Sequence, residues 1–232
     1  ESSAASDVYK RQIVMFRENT EDLYAGVETQ VDQDTAHSIK IITRKCSERI
    51  IRAAFGYAQK NGRKKVTCVH KANIMKISDG LFRDIFYEVS KEYPQVQAED
   101  KIVDNVAMQL VMQPQKFDVI VTENLYGDIL SDLTSGLIGG LGLLPSSNMG
   151  EDFAMFEAVH GSAPDIAGKG IANPTAFLWS ACMMLEHLGK QETAVKIRRA
   201  VDEVLRQGTA LTPDLGGTAG TKEYTEEIIR QL

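Results

Sequence analysis

Apolar residues in the first part of the chain come in short runs separated by polar turns. Ile13-Val14-Met15-Phe16 is a run of the kind that a buried strand presents. Ala25 to Gln30 and Ala36 to Ile42 are β-rich segments around the polar turn Asp32-Gln33-Asp34, which predicts a hairpin or arm. Thr43 stands where it can cap a helix running to about Asn61, and Asn61-Gly62 supplies the stop. The pattern then alternates. A strand from Lys65 to His70 precedes a helix from Ser78 to Lys91. A strand from Val96 to Val103 precedes a helix from Asn105 to about Met112, and a strand from Phe117 to Thr122 precedes a helix from about Asp128 to Leu137. Strands and helices at this spacing predict βαβ units, an α/β fold and a mostly parallel sheet. A glycine-rich turn (Gly136 to Gly150), a loop (Val159 to Asn173), two helices (Pro174 to Leu188 and Glu192 to Gln207) and a short helix near Tyr224 follow. Residues 1–12, ESSAASDVYKRQ, are small and polar without a usable period, and are expected to be a disordered or non-native tail.

Composition narrows what such a fold can serve. The 232 residues fit one large domain or two modest ones. A formal net charge of −6 argues against a nucleic-acid partner, and Arg63-Lys64-Lys65 reads as a solvated turn. Cys46, Cys68 and Cys182 are far apart with no CxxC spacing, so neither a disulfide framework nor a zinc site is expected, and a reducing cytoplasm is the natural location. The apolar stretch from Leu133 to Pro145 is broken by glycines and too short to span a bilayer, and the amino terminus lacks a signal pattern, so no membrane partner is expected.

In open α/β sheets, ligands sit beyond the carboxyl ends of the strands. Those ends carry Lys71 and Asn73, then Asp104, then Glu123, Asn124, Asp128 and Asp132. Asp128 and Asp132 lie four apart on one helix face. They have an ordinary explanation as acids favoured by a helix amino terminus; with Asp104 added, they suit a hard divalent ion with oxygen ligands, Mg²⁺ or Mn²⁺. Lys71 beside such a cation would have its pKa lowered, as a general base requires, although an exposed lysine is the plainer reading of that residue alone. Arg17 and Tyr24 flank Glu18-Asn19-Thr20-Glu21-Asp22. The arginine can grip a carboxylate and the phenol can donate a proton to a carbanion. The segment from His160 to Gly168 has small residues that let backbone approach a ligand. No GxGxxG follows a strand, and Gly139-Gly140-Leu141-Gly142 is not that pattern, so a Rossmann site is not indicated.

Four runs, RENTEDLYAG (17–26), HKANIMK (70–76), NLYGDILSD (124–132) and HGSAPDIAGKGIANP (160–174), resemble the β-decarboxylating dehydrogenases of isocitrate, 3-isopropylmalate, homoisocitrate and tartrate. The resemblance runs from about Ile13 to the carboxyl terminus. It implies the isocitrate/isopropylmalate dehydrogenase-like fold, truncated at its amino terminus by about a hundred residues, which is an ordinary domain's worth of chain. Residues 13–138 would be the smaller, dimerising domain, and 139–232 the carboxyl-terminal part of the larger, NAD-binding domain. Arg17 would bind a substrate carboxylate, with Asn73 also at the substrate. Tyr24 would be the general acid, and Lys71 the base that takes the hydroxyl proton. Asp104, Asp128 and Asp132 would hold Mg²⁺ or Mn²⁺, which polarises the C2 oxygen and stabilises the enolate left by CO₂.

In the family, the lysine and the acid matching Asp104 come from the second subunit, so a homodimer with a shared site is implied. His160, Gly161, Ser162, Ala163, Pro164, Asp165, Ile166 and Asn173 would form the cofactor site, with Asp165 on the ribose hydroxyls. A carboxylate there repels a 2′-phosphate, so the cofactor is expected to be NAD; NADP-linked members tend to carry Lys-Tyr in place of Asp165-Ile166, and Tyr and Arg in place of Pro213 and Gly217. RENTEDLYAG looks like the isocitrate enzymes, whereas isopropylmalate enzymes more often read REL-T-G-G-I-Y. The chain by itself is expected to be poorly active. The leading expectation is an NAD-dependent isocitrate dehydrogenase, with a homoisocitrate, tartrate or 3-isopropylmalate dehydrogenase as the runner-up. A non-catalytic regulatory subunit and a metal-binding structural fragment are the alternatives from other classes, and the presence of Tyr24, Lys71 and all three acids counts against the former.

Overall fold

The alternating pattern folds as a parallel sheet in a computed structural model that describes residues 13–138 and 140–232. The tail expected over residues 1–12 lies outside the described residues. The sheet comprises β1 (Val14–Arg17), β4 (Lys65–His70), β5 (Gln97–Ile102) and β6 (Val119–Thr122), in the order β1-β6-β4-β5 with each pairing parallel. β2 (Glu28–Gln30) and β3 (Ala36–Ser38) form a separate antiparallel hairpin, exposed along both strands. The two central strands are the most apolar. All of β6, and β4 beyond its first residue, is buried, because helices cover both faces of the sheet.

Side chains leave a strand alternately up and down, and the core divides accordingly. Val66, Cys68, Val119 and Val121 point to one face, against α1 (Arg44–Lys60) and α2 (Ser78–Ser90). Val69 and Ile120 point to the other, against α3 (Val103–Met112) and α4 (Asn124–Leu137). α1 forms where expected. The Thr43 side chain accepts from the Cys46 N–H at its start, and Ser47, Ile51, Ala54, Phe55 and Ala58 make one buried stripe.

Two helix starts differ from expectation. α3 begins at Val103, so Asp104 lies in a helical first turn rather than in a strand-end loop. α4 begins at Asn124, four residues before the expected start, so Asp128 and Asp132 sit one and two turns inside the helix. Its first turn, Asn124-Leu125-Tyr126-Gly127, is too short to show a period and is fixed from outside, by the Asp22 carboxylate accepting the Leu125 N–H at 2.8 Å.

The chain divides into two compact units, at Thr134/Ser135. The second begins with the antiparallel hairpin β7 (Pro145–Met149) and β8 (Ala154–Ala158). This corrects the expected glycine-rich turn: Pro-Ser-Ser-Asn-Met carries no apolar alternation, and its strand character comes from backbone pairing to β8. Ser180 on α5 (Thr175–His187) donates to the Glu157 carbonyl at 2.8 Å and accepts from the Ser146 N–H at 3.3 Å, tying α5 to both strands. Trp179, Val201, Val204, Tyr224 and Ile228 knit α5 to α6 (Gln191–Gln207) and α7 (Thr221–Arg230). Among the described residues no helix is long and apolar enough to cross a membrane.

Candidate active site

The carboxyl rim of the sheet collects the side chains. β1 ends on Arg17, and the acidic run behind it is turned inward. The Glu18 carboxylate accepts from the Thr20 N–H (2.9 Å), the Thr20 hydroxyl (2.6 Å), the Glu21 N–H (3.0 Å) and Arg49 (2.7 Å). Burial opposes its charge, but these donors prevail and its pKa falls. Glu21 accepts from the N–H and hydroxyl of Thr43, both at 2.8 Å. Asp22 has φ of +76°, a region costly for a side-chain-bearing residue. It is held there by its own N–H donating to the Ile41 carbonyl and by its carboxylate, which accepts the Leu23 and Leu125 N–H groups. The bend places the short 3₁₀ turn Leu23–Ala25 so that Tyr24 stands half exposed above the rim.

Arg17 and Tyr24 meet there. Arg17 donates from Nη1 to Asp128 at 2.7 Å, and from Nε and Nη2 to Asn124 at 2.9 and 2.7 Å. Its guanidinium carbon lies 5.1 Å from the centroid of the Tyr24 ring, within cation–π range. A hydrogen bond to the Asp128 carboxylate pushes the Tyr24 phenol above its ordinary pKa, keeping its proton in place. Gly127 makes the approach possible, because a Cβ there would fall 2.5 Å from Arg17 Cγ. Asp132 is exposed one turn further along α4.

The second group lies beyond β4. Lys71 and Asp104 form an ion pair, which holds the Asp104 carboxyl below its usual range. The Lys71 backbone is fixed from below: its N–H donates to the fully buried Asp79 at 2.7 Å, and the next N–H, of Ala72, donates to His70 Nδ1 at 3.0 Å. His70 Nε2 then faces Asp100 at 2.8 Å. Asn73 is exposed in the turn that follows.

The structure therefore brings Arg17, Tyr24, Asn124 and Asp128 together, and separately Lys71 with Asp104. It does not gather the three acids in one chain. β4 lies between β5 and β6, which sets Asp104 two strands from the strand leading to Asp128. Among the described residues no three His, Cys, Asp or Glu side chains converge as a metal site. Asp128 and Asp132 alone offer a half-set of hard oxygen donors, which fits a divalent cation completed by other ligands. Residue pattern alone assigns no role to Gly127 or Asp79, and places Asn124 on the rim without a job. The one available signal was the position of Asp79 immediately after Ser78 at a helix start.

The loop of the second unit differs in kind. His160, Gly161, Ser162, Ala163, Pro164 and Asp165 are exposed and Ile166 partly so. His160 Nδ1 faces the Gly161 carbonyl at 2.9 Å, and Ala163 takes a left-handed φ of +43° before the 3₁₀ turn Pro164–Ile166. Asn173 is engaged at both ends of its amide. Its oxygen accepts from the Thr175 N–H at 3.0 Å and its nitrogen donates to Asp214 at 2.9 Å. Small side chains, a tight turn and a free-standing Asp165 carboxylate fit a ligand bearing hydroxyls.

The family model for isocitrate/isopropylmalate dehydrogenase matches residues 1–228. The homoisocitrate dehydrogenase of Methanocaldococcus jannaschii is 56% identical over 95% of the chain and 62% of its own length. A mitochondrial NAD isocitrate dehydrogenase regulatory subunit from Dictyostelium discoideum is also 56% identical, over 94% of the chain and 62% of its own length. The crystal structure of isocitrate dehydrogenase from Methylococcus capsulatus superposes with a TM-score of 0.89 at 57% identity, covering 94% of this chain and 66% of that one. The chain thus spans less than two thirds of the length of these relatives. By sequence and fold, it belongs to the isocitrate/isopropylmalate dehydrogenase family.

Proposed function

We propose that the complete protein oxidises and decarboxylates isocitrate to 2-oxoglutarate and CO₂, using NAD and Mg²⁺ or Mn²⁺, as a homodimer whose two chains share each site. The observation that carries this reading is the pairing of two of the three candidate ligand acids with candidate substrate-facing cations: Asp128 with Arg17, and Asp104 with Lys71. A divalent cation held by Asp128, Asp132 and the other chain's Asp104 would polarise the C2 oxygen and offset the charge left as CO₂ departs. With the acids so neutralised, Arg17 Nη1 would be free for a substrate carboxylate. The other chain's Lys71 Nζ, freed in the same way from Asp104, would take the proton of the substrate hydroxyl, and bound NAD would supply the hydride acceptor. Tyr24, kept protonated beside Asp128, returns a proton to the carbon that lost CO₂. The exposed apolar side chains of α3 and α4, Met108, Val111, Met112 and Ile129, suit a second copy as the covering surface.

Within the family, homoisocitrate, tartrate and 3-isopropylmalate are the other candidate substrates. NADH formation by the complete protein with each acid, before and after chelation of divalent ions, tests the reading. Isocitrate turnover that chelation abolishes and Mg²⁺ or Mn²⁺ restores is the expected result; a faster rate with another acid reassigns the substrate. The Dictyostelium relative is named a regulatory subunit, but Tyr24, Lys71, Asp104, Asp128 and Asp132 are all present in this chain, which favours catalysis.

A further inference from the structure

Between the two rim groups lies a buried cluster with no part in the chemistry above. Lys40, in the segment that leaves β3, sends its ammonium inward to Asp79 at 2.7 Å, to Glu123 at 2.6 Å and to Asp22 at 3.9 Å, and sits 4.5 Å from the centroid of the Tyr126 ring. Asp22 and Asp79 are fully buried and Glu123 is 1% exposed. Gathering three acids around one cation away from water is costly, and apolar side chains would fill such a space more cheaply. A reason for keeping them appears in what else these carboxyl groups hold. Asp79 Oδ2 accepts the Lys71 N–H at 2.7 Å and the Tyr126 hydroxyl at 3.0 Å. Asp22 accepts the Leu23 N–H, one residue before Tyr24, and the Leu125 N–H at the start of α4. Glu123 directly precedes Asn124, which grips Arg17. The segments that carry Tyr24, Lys71 and the start of α4 are thus each joined through one of these acids to the Lys40 ammonium.

We infer that Lys40 is a positioning residue, the hub that holds both the Tyr24–Arg17–Asp128 group and the Lys71–Asp104 group in place on the rim of its own chain, each for the site it serves. The inference rests on the proposed roles of Tyr24 and Lys71. The surrounding charges are consistent with it. Burial pushes Glu123 up to about 8 despite Lys40, and Asp79 adds to the shift. Its Oε1 has no hydrogen-bond partner among the described residues, and its Oε2 accepts from Lys40 at 2.6 Å. Burial works against the Lys40 charge, but Glu123 and Asp79 outweigh it and its pKa rises. The remaining titratable neighbours are inert. Burial, with Asp79, keeps the Tyr126 phenol protonated, and burial keeps the Cys68 thiol neutral. Glu18 and Glu21, which line the same small cavity, are engaged with Thr20, Arg49 and Thr43.

Steady-state kinetics on the complete protein, with kcat taken per folded molecule, test the hub. Lys40→Met should lower kcat at least tenfold with KM for the 2-hydroxy acid within about threefold, because small misplacements of reacting groups cost rate. Asp79→Asn keeps an acceptor for the Lys71 N–H but weakens the link to Lys40, so it should lower kcat less, again with KM nearly unchanged. A merely structural role changes the folded fraction and leaves kcat per folded molecule in place. A folded Lys40→Met protein with kcat within twofold of the parent overturns the inference. If that variant does not fold, a kcat within twofold of the parent in Asp79→Asn does so. Tyr24→Phe and Lys71→Met, measured in parallel, separate the two readings: if they retain full activity, the proposed function fails, whereas if they lose it while the Lys40 and Asp79 variants behave as parent, only the hub fails.

Discussion

The rim of the first unit and the loop of the second present their polar groups in opposite ways. On the rim, Arg17 makes three side-chain hydrogen bonds, Asp128 and Asp104 are each ion-paired, and the backbone beneath Tyr24 and Lys71 is pinned by buried carboxylates. In the loop, residues 160–165 are exposed, and Asn173 is tied to the start of α5 and to Asp214. On the proposed function, the difference follows from what each would have to recognise. Proton transfer needs side chains held at fixed distance and angle, and ordering them before substrate arrives removes that entropy from the barrier. A dinucleotide can be gripped by backbone and a single carboxylate, for which small residues in a tight turn are enough.

The contrast can be broken by substitution. Tyr24→Phe keeps the ring over Arg17 but removes the donor, and is expected to lower kcat of the complete protein by about 10²- to 10⁴-fold, the usual worth of general acid–base catalysis; a kcat within threefold of parent would show that the phenol is a bystander. Asp165→Ala should act on binding alone, raising KM for NAD by roughly tenfold, as expected for losing charge-assisted hydrogen bonds to hydroxyls, with kcat nearly unchanged. A fall in kcat without a change in KM would mean that the loop takes part in the chemistry. The smallest effect is expected at Thr43, which caps α1 and donates to Glu21. Thr43→Ala should cost about 1 kcal/mol of stability by chemical denaturation, and less than 0.3 kcal/mol, roughly the scatter of such measurements, would show that the cap is redundant.

Much of the scaffold was legible in the residues themselves. Lys65–His70 forms the strand expected, because an apolar run between turn signals has few alternatives, and Thr43 caps the helix that its position suggested. The β7–β8 hairpin was not legible, since its strands are specified by each other and by Ser180 rather than by their own pattern. The same limit applies at the site. The residue types around Arg17, Tyr24, Lys71 and the three acids are readable, but strand order is not, and the insertion of β4 between β5 and β6 is what parts Asp104 from Asp128. Glu18, Glu21 and Asp22 read as a polar run beside an arginine; only their hydrogen bonds show that they are buried anchors.

That parting leads to the central claim, that each site is completed by a second chain, and subunit mixing tests it most directly. The complete Tyr24→Phe and Lys71→Met proteins should each be nearly inactive. After they are denatured together and refolded, random pairing makes about half the dimers mixed, each with one native site, so about a quarter of the parent activity should return. No recovery from a mixture that demonstrably contains mixed dimers would show that Tyr24 and Lys71 serve the same chain's site, and would contradict the account.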